Sequence, residues 1–267
     1  INDTVDSLGL TKINIRAANV VNWRSTLIWG GNELNRKNLA VDDESSSMVG
    51  FFNEIDWRSS TVAADIIFVE GRSSTGDGIY SGISATQRIG RFNTTLRALN
   101  SHPLNKETEH NRDGFLLFGE LSWHPYGSDD HAYVTAFKAL KHYRSASRAP
   151  NAGGPLGQTG LLFEAVGLGR YPAPLSNQTD DAFGGAIGYQ KFFDHGRKQI
   201  IAEVGAHYSN NSTGERAGGA ALSYRMAVSQ RTTLRLDGFL THHDNQGSSR
   251  DPDDIEAGIR FEISVAF

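Results

Sequence analysis

The sequence predicts an all-β protein, an antiparallel up-and-down barrel of about 12 to 14 strands that crosses a membrane. Three observations carry that expectation. Apolar and polar residues alternate with a period of two along most of the chain, short links between the alternating segments take turns with long polar ones, and three of the four tryptophans stand beside short links.

The alternation is the strongest of the three, because successive side chains of a strand point to opposite faces. In "KINIRAANV" Ile13, Ile15 and Ala17 oppose Lys12, Asn14 and Arg16. "GIYSGISATQRIG" sets Ile79, Ser81, Ile83 and Ala85 against Tyr80, Gly82, Ser84 and Thr86. "GFLLFGELSW" sets Phe115, Leu117, Gly119, Leu121 and Trp123 against Glu120 and Ser122, and "TLRLDGFL" sets Leu234, Leu236, Gly238 and Leu240 against Arg235, Asp237 and Phe239. No segment has a helical period. The longest apolar runs, Ile66 to Val69 and Phe115 to Phe118, fall far short of the roughly 20 residues a membrane helix needs.

Strands are expected near 9–21, 24–32, 47–57, 61–71, 77–88, 91–102, 112–124, 131–144, 182–193, 198–208, 216–227, 231–243 and 254–267. Bacterial single-chain barrels have even strand numbers. An odd total therefore means that 9–32 is one bent strand, or that a further strand lies in 145–181 or upstream of Ile1. Residues 1–267 are expected to form a single barrel domain, which the C-terminal part of a larger chain would also match.

Trp23, Trp57 and Trp123 lie within two residues of the short links expected at 22–24, 58–60 and 125–130. Such a ring suits the aromatic girdle that flanks the apolar band of a membrane barrel. A water-soluble two-sheet sandwich would alternate in the same way, and the tryptophan ring weighs against it. Composition alone would mislead, since 38% apolar residues and a mean hydropathy of −0.40 describe a soluble protein on average. With no cysteine there is neither a disulfide nor a thiolate metal site. A net charge of −4 and the lack of a basic run among aromatics exclude nucleic acid as a partner. The first ten residues lack the basic start and apolar middle of a signal peptide, so an exported chain would have been trimmed there.

The last nine residues, "IRFEISVAF", place Ile259, Phe261, Ile263, Val265 and Phe267 on one face and finish on phenylalanine. "FEISVAF" resembles the C-terminal signature of Gram-negative outer-membrane β-barrel proteins. The resemblance implies residence in the bacterial outer membrane, with membrane lipid as a partner. It also implies reading by the barrel assembly machinery through Phe261, Ile263, Val265 and Phe267. Short links would then be periplasmic turns and long links extracellular loops.

Charges on the alternate face, among them Arg16, Arg97, Glu120, Glu203, Arg235, Asp237 and Arg260, would each cost up to a few kcal/mol in lipid, so they are expected to line the lumen. The link at 145–181 exceeds the usual length of a structureless loop. Its centre, "GLLFEAVGLGRY", is too apolar for water, so it is expected to fold into the lumen like the constriction loop of porins, which it looks like. Arg148, Glu164, Arg170, Asp180 and Asp181 would then set the field at the narrowest point. A lid or an extra hairpin above the membrane is the alternative.

Three functions fit these residues. The first is a porin-like channel for passive diffusion of small polar solutes. The second is a structural barrel acting as scaffold or sheath for a partner protein, or a homo-oligomer. The third is an outer-membrane lipid hydrolase built on His242, His243 and Asp244 with Ser209 or Ser212. No metal-ligand spacing is present, and no glycine-rich run opens a helix, so neither metal nor cofactor is expected. The first function requires no enzyme chemistry, and none is expected.

Overall fold

The computed structural model describes residues 11–17, 21–30, 45–71, 77–104, 113–141, 161–162, 175, 181–209, 216–229, 231–244 and 254–265. They form thirteen strands: β1 (Thr11–Ala17), β2 (Val21–Gly30), β3 (Ser45–Trp57), β4 (Ser60–Gly71), β5 (Gly78–Ile89), β6 (Phe92–Pro103), β7 (Gly114–Trp123), β8 (His131–Lys141), β9 (Ala182–Phe193), β10 (Lys198–Ser209), β11 (Arg216–Ala227), β12 (Thr232–Asp244) and β13 (Asp254–Val265). All belong to one sheet in strict sequence order, each antiparallel to the next. The result is the up-and-down architecture expected from the alternation. Odd-numbered strands run from the long-link end to the tight-turn end, and even-numbered strands return.

The first hairpin departs from expectation. β1 and β2 are separate strands, paired from Thr11↔Leu27 to Ala17↔Val21, and their link is 18–20 rather than 22–24. Pairing with β3 draws the chain into the sheet from Val21 onward, in register Val21↔Trp57. Arg24, which looked like turn punctuation, bonds Glu54 and Asp56 across the strands. Trp23 consequently lies within β2, where it remains exposed.

Burial follows the two-residue period. In β7, Leu116, Phe118, Glu120 and Ser122 are buried, while Leu117, Leu121 and Trp123 are exposed. Exposed Phe51, Phe68, Ile83, Ile187, Leu222, Leu240 and Ile259 continue this greasy outer face around the sheet. An outer face of that kind is stable against acyl chains and costly against water.

The inner face is less uniformly polar than the charge pattern suggests. Ile67, Leu99, Leu116, Phe118 and Phe137 point inward and form one apolar cluster with Leu161, Leu162 and Leu175 of the longest link. The runs 66–69 and 115–118 present grease to both faces, as strands covered on both sides do. The cover on the inner side comes from the chain itself.

Candidate pore-lining site

The site is best built upward along the inner wall of β8–β13, starting near the tight-turn end. Inward residues on adjacent strands stand side by side when their backbones are paired. Arg225 of β11, Arg235 of β12 and Glu262 of β13 make such a row, and Ser223, Asp237 and Arg260 make the next. Asp237 accepts the Ser223 hydroxyl at 2.6 Å, Arg235 Nε at 2.9 Å and Arg260 Nη2 at 2.7 Å. Arg235 Nη1 also lies 3.8 Å from Glu262 Oε2. Asp237 is buried, while the Arg235 and Arg260 side chains keep 22% and 25% of their surface and so leave charge exposed on the inner face of the sheet. Toward β9, Gln190 donates to Gln199 at 3.0 Å inside the wall.

One row higher, Tyr133, Gly188, Glu203 and Ala221 stand abreast on β8, β9, β10 and β11. Tyr133 donates its hydroxyl to Glu203 Oε2 at 2.5 Å, reaching across the whole width of β9. That reach requires glycine at 188, since a Cβ there would overlap the phenol ring. The second carboxylate oxygen, Oε1, accepts the backbone N–H groups of Leu161 at 3.3 Å and Leu162 at 2.8 Å. Leu162 in turn accepts the N–H of Leu175 at 2.8 Å. Glu203 is therefore 2% exposed, under three leucines that are themselves buried. Leu162 rests on the bare backbone of Gly219, its Cδ2 3.3 Å from where a side chain would begin.

A buried carboxylate is tolerable only when it is hydrogen-bonded. Here the Tyr133 hydroxyl and two amides of the long link contribute to that bonding. The chemistry is that of an anchor: one wall-mounted anion holds two consecutive peptide groups inside the sheet's concavity.

The other expected residues are placed as follows. Arg97 of β6 and Glu120 of β7 are buried on the inner face. For Arg16 the backbone register, opposite Asn22, is defined. Asp181 is exposed just ahead of β9. Arg148, Glu164, Arg170, Asp180, Ser212 and Phe267 lie outside the described residues. Phe261, Ile263 and Val265 are exposed on the outer face of β13. Ser209 is fully buried facing inward on β10, whereas His242 of β12 is exposed on the opposite face, so these two do not form a catalytic pair. His243 shares the face of Ser209 but stands two strands away. Tyr133, Gly188 and Ser223 were not expected as site residues; the alternation "HAYVTAFK" puts Tyr133 on one face with His131 and Thr135, but only strand register brings it to Glu203.

No protein-family model matches the sequence, and no curated protein sequence does. Solved structures do. The chain is similar to OccAB4 of Acinetobacter baumannii, at 10% identity over 96% of this chain and 64% of that one, with a TM-score of 0.55. It is similar to Pseudomonas aeruginosa OpdK, solved with vanillate, at 10% identity over 95% and 66% of the two chains, TM-score 0.56. Wzi, an outer-membrane protein involved in group 1 capsule assembly in Escherichia coli and described as a carbohydrate-binding β-barrel, matches at 12% identity over 92% and 56%, TM-score 0.50. The chain spans about two thirds of the length of the first two. The fold is that of a Gram-negative outer-membrane β-barrel. In that fold the outward face of the strands meets lipid, and here that face is the exposed apolar one, with the charged rows on the opposite face.

Proposed function

We propose that the protein is a porin-like outer-membrane channel for small polar solutes, narrowed by the Leu161–Leu162 segment that stands on Glu203. The observation that carries this reading is the double amide contact to Glu203, which holds part of the longest link inside the barrel. Around it, the Asp237 cluster gives water and ions a polar wall near the tight-turn end. Arg97 and Glu120 extend the polar lining, and Arg148, Glu164, Arg170, Asp180 and Asp181 belong to the constricting link or its end. Passive diffusion needs no turnover, in keeping with similarity to channels and binding barrels by fold. Phe261, Ile263 and Val265 would serve recognition by the assembly machinery before insertion.

Planar-bilayer recording of the purified full chain tests the channel. Discrete conductance steps are expected, larger in Glu203→Ala, where the segment loses its anchor. A barrel that is inserted, as judged by heat-modifiable migration, yet silent in both forms would refute transport. That result would favour a second reading, a closed scaffold or ligand-holding barrel. The inward cluster of Ile67, Leu99, Leu116, Phe118 and Phe137 supports this alternative, because it excludes water from part of the lumen.

A further inference from the structure

We infer that the tight-turn rim is a binding belt for the phosphate headgroups of anionic phospholipids. The inference rests on the outer-membrane fold and not on the channel reading. Three cations at this rim are stacked on aromatic rings: the Arg58 guanidinium lies 5.7 Å from the Trp57 ring centroid, Arg91 lies 5.4 Å from Tyr126, and Lys191 Nζ lies 5.5 Å from Phe193. All three rings are exposed, Tyr126 at 87%. Tryptophan and tyrosine settle at headgroup depth in a bilayer, so the Trp57 and Tyr126 rings carry their cations to the level of lipid phosphate.

The way these cations are held matters more than their number. A cation over a ring face is fixed by the ring's quadrupole and spends none of its N–H donors. Arg58, Arg91 and Lys191 make no ion pair among the described residues, so those donors stay directed at whatever anion the membrane offers. Two of the three aspartates in these links are occupied elsewhere. Asp130 accepts the Phe192 N–H at 2.8 Å and the Tyr189 hydroxyl at 3.4 Å, and Asp194 lies 3.5 Å from Lys198.

The rim is also a continuous platform, because backbone hydrogen bonds tie its turns together. Arg88 N donates to Ser59 O at 2.9 Å, His124 N to Arg91 O at 2.9 Å, and Ala227 N to Arg197 O at 2.7 Å. The two ends of the barrel differ in sign. Links at the tight-turn end carry four arginines against three aspartates, whereas the long links carry nine basic residues against fourteen acidic ones. An anionic leaflet attracts the first end and repels the second.

Tryptophan quenching in vesicles tests the belt. The full chain is inserted into phosphatidylcholine vesicles containing either brominated phosphatidylglycerol or brominated phosphatidylcholine, and insertion is confirmed by heat-modifiable migration. Failure to insert would speak against the membrane fold itself. In inserted protein, phosphatidylglycerol should be enriched at the rim about fivefold over phosphatidylcholine, the effect of a basic residue near an anionic surface. The triple variant Arg58→Gln, Arg91→Gln, Lys191→Gln should remove the preference, and Lys138→Gln, on the outer face toward the long-link end, should keep it. Should the triple variant not fold, single variants at the three positions should each remove about a third of the preference, since each cation holds its own headgroup. Equal quenching by the two lipids, a preference that survives these substitutions, or loss of it in Lys138→Gln overturns the inference. So does abolition by inorganic phosphate at constant ionic strength, which would mark a site for soluble anions.

Discussion

On the inner wall of β8–β10, Glu203 is 2% exposed and bonded to a tyrosine and two backbone amides; on the inner wall of β2–β3, Arg24 faces Glu54 and Asp56 with side chains that keep 47%, 42% and 33% of their surface. Both walls come from the same alternation of apolar and charged residues. What differs is whether another part of the chain stands over the charge. A covered carboxylate has exchanged all its water for fixed donors, whereas an uncovered ion pair still shares its charges with solvent. The first fixes structure and the second mainly sets the local field.

Glu203→Ala should break this contrast most deeply. It leaves two peptide N–H groups and the Tyr133 hydroxyl without their acceptor, and should cost roughly 3 kcal/mol. The measurement is the temperature at which the heat-modified band converts on a gel, which should fall as conductance rises. Asp237→Ala should come next, at about 2 kcal/mol, because Arg235 and Arg260 lose a shared acceptor but remain partly solvated. Its electrical signature is a reversal potential moved toward anions under a salt gradient, since one negative charge leaves two adjacent rows that together hold three arginines.

Gly188→Ala is expected to cost about 1.5 kcal/mol by pushing the Tyr133 ring off its path. Its effect should be largely absent in a Tyr133→Ala background, so a double-mutant cycle in denaturant sharpens the assignment. Arg24→Gln should be the mildest, within about 0.5 kcal/mol. A loss there as large as that of Glu203→Ala would erase the distinction between covered and open walls.

Much of the fold could be read from the chain because membrane strands repeat one physical demand. The pattern around Leu234–Leu240 or Leu117–Trp123 requires no knowledge of partners, since each outward residue answers to lipid alone. The first hairpin was harder, because "NWR" has turn-like composition and only pairing with β3 reveals it as strand. The inner apolar residues were hidden for another reason. Leu116 and Phe118 alternate as faithfully as Leu117 and Gly119, and nothing local says that their face is also covered. The unbroken run of four apolar residues was the available signal. The Tyr133–Glu203 contact spans 70 positions of sequence, and its dependence on Gly188 is a property of register that no linear pattern contains.

β1 and β13, the two outermost strands of the sheet, descend in the same direction, from the long-link end to the tight-turn end. Brought together directly, they would form a seam of evenly spaced, slanted hydrogen bonds, unlike every other ladder in the molecule. A seam with the alternating bond pattern of the rest requires an odd number of climbing-and-descending segments between them, beginning and ending with one that climbs. Strand direction thus dictates the hydrogen-bond pattern that any pairing of these two edges would have.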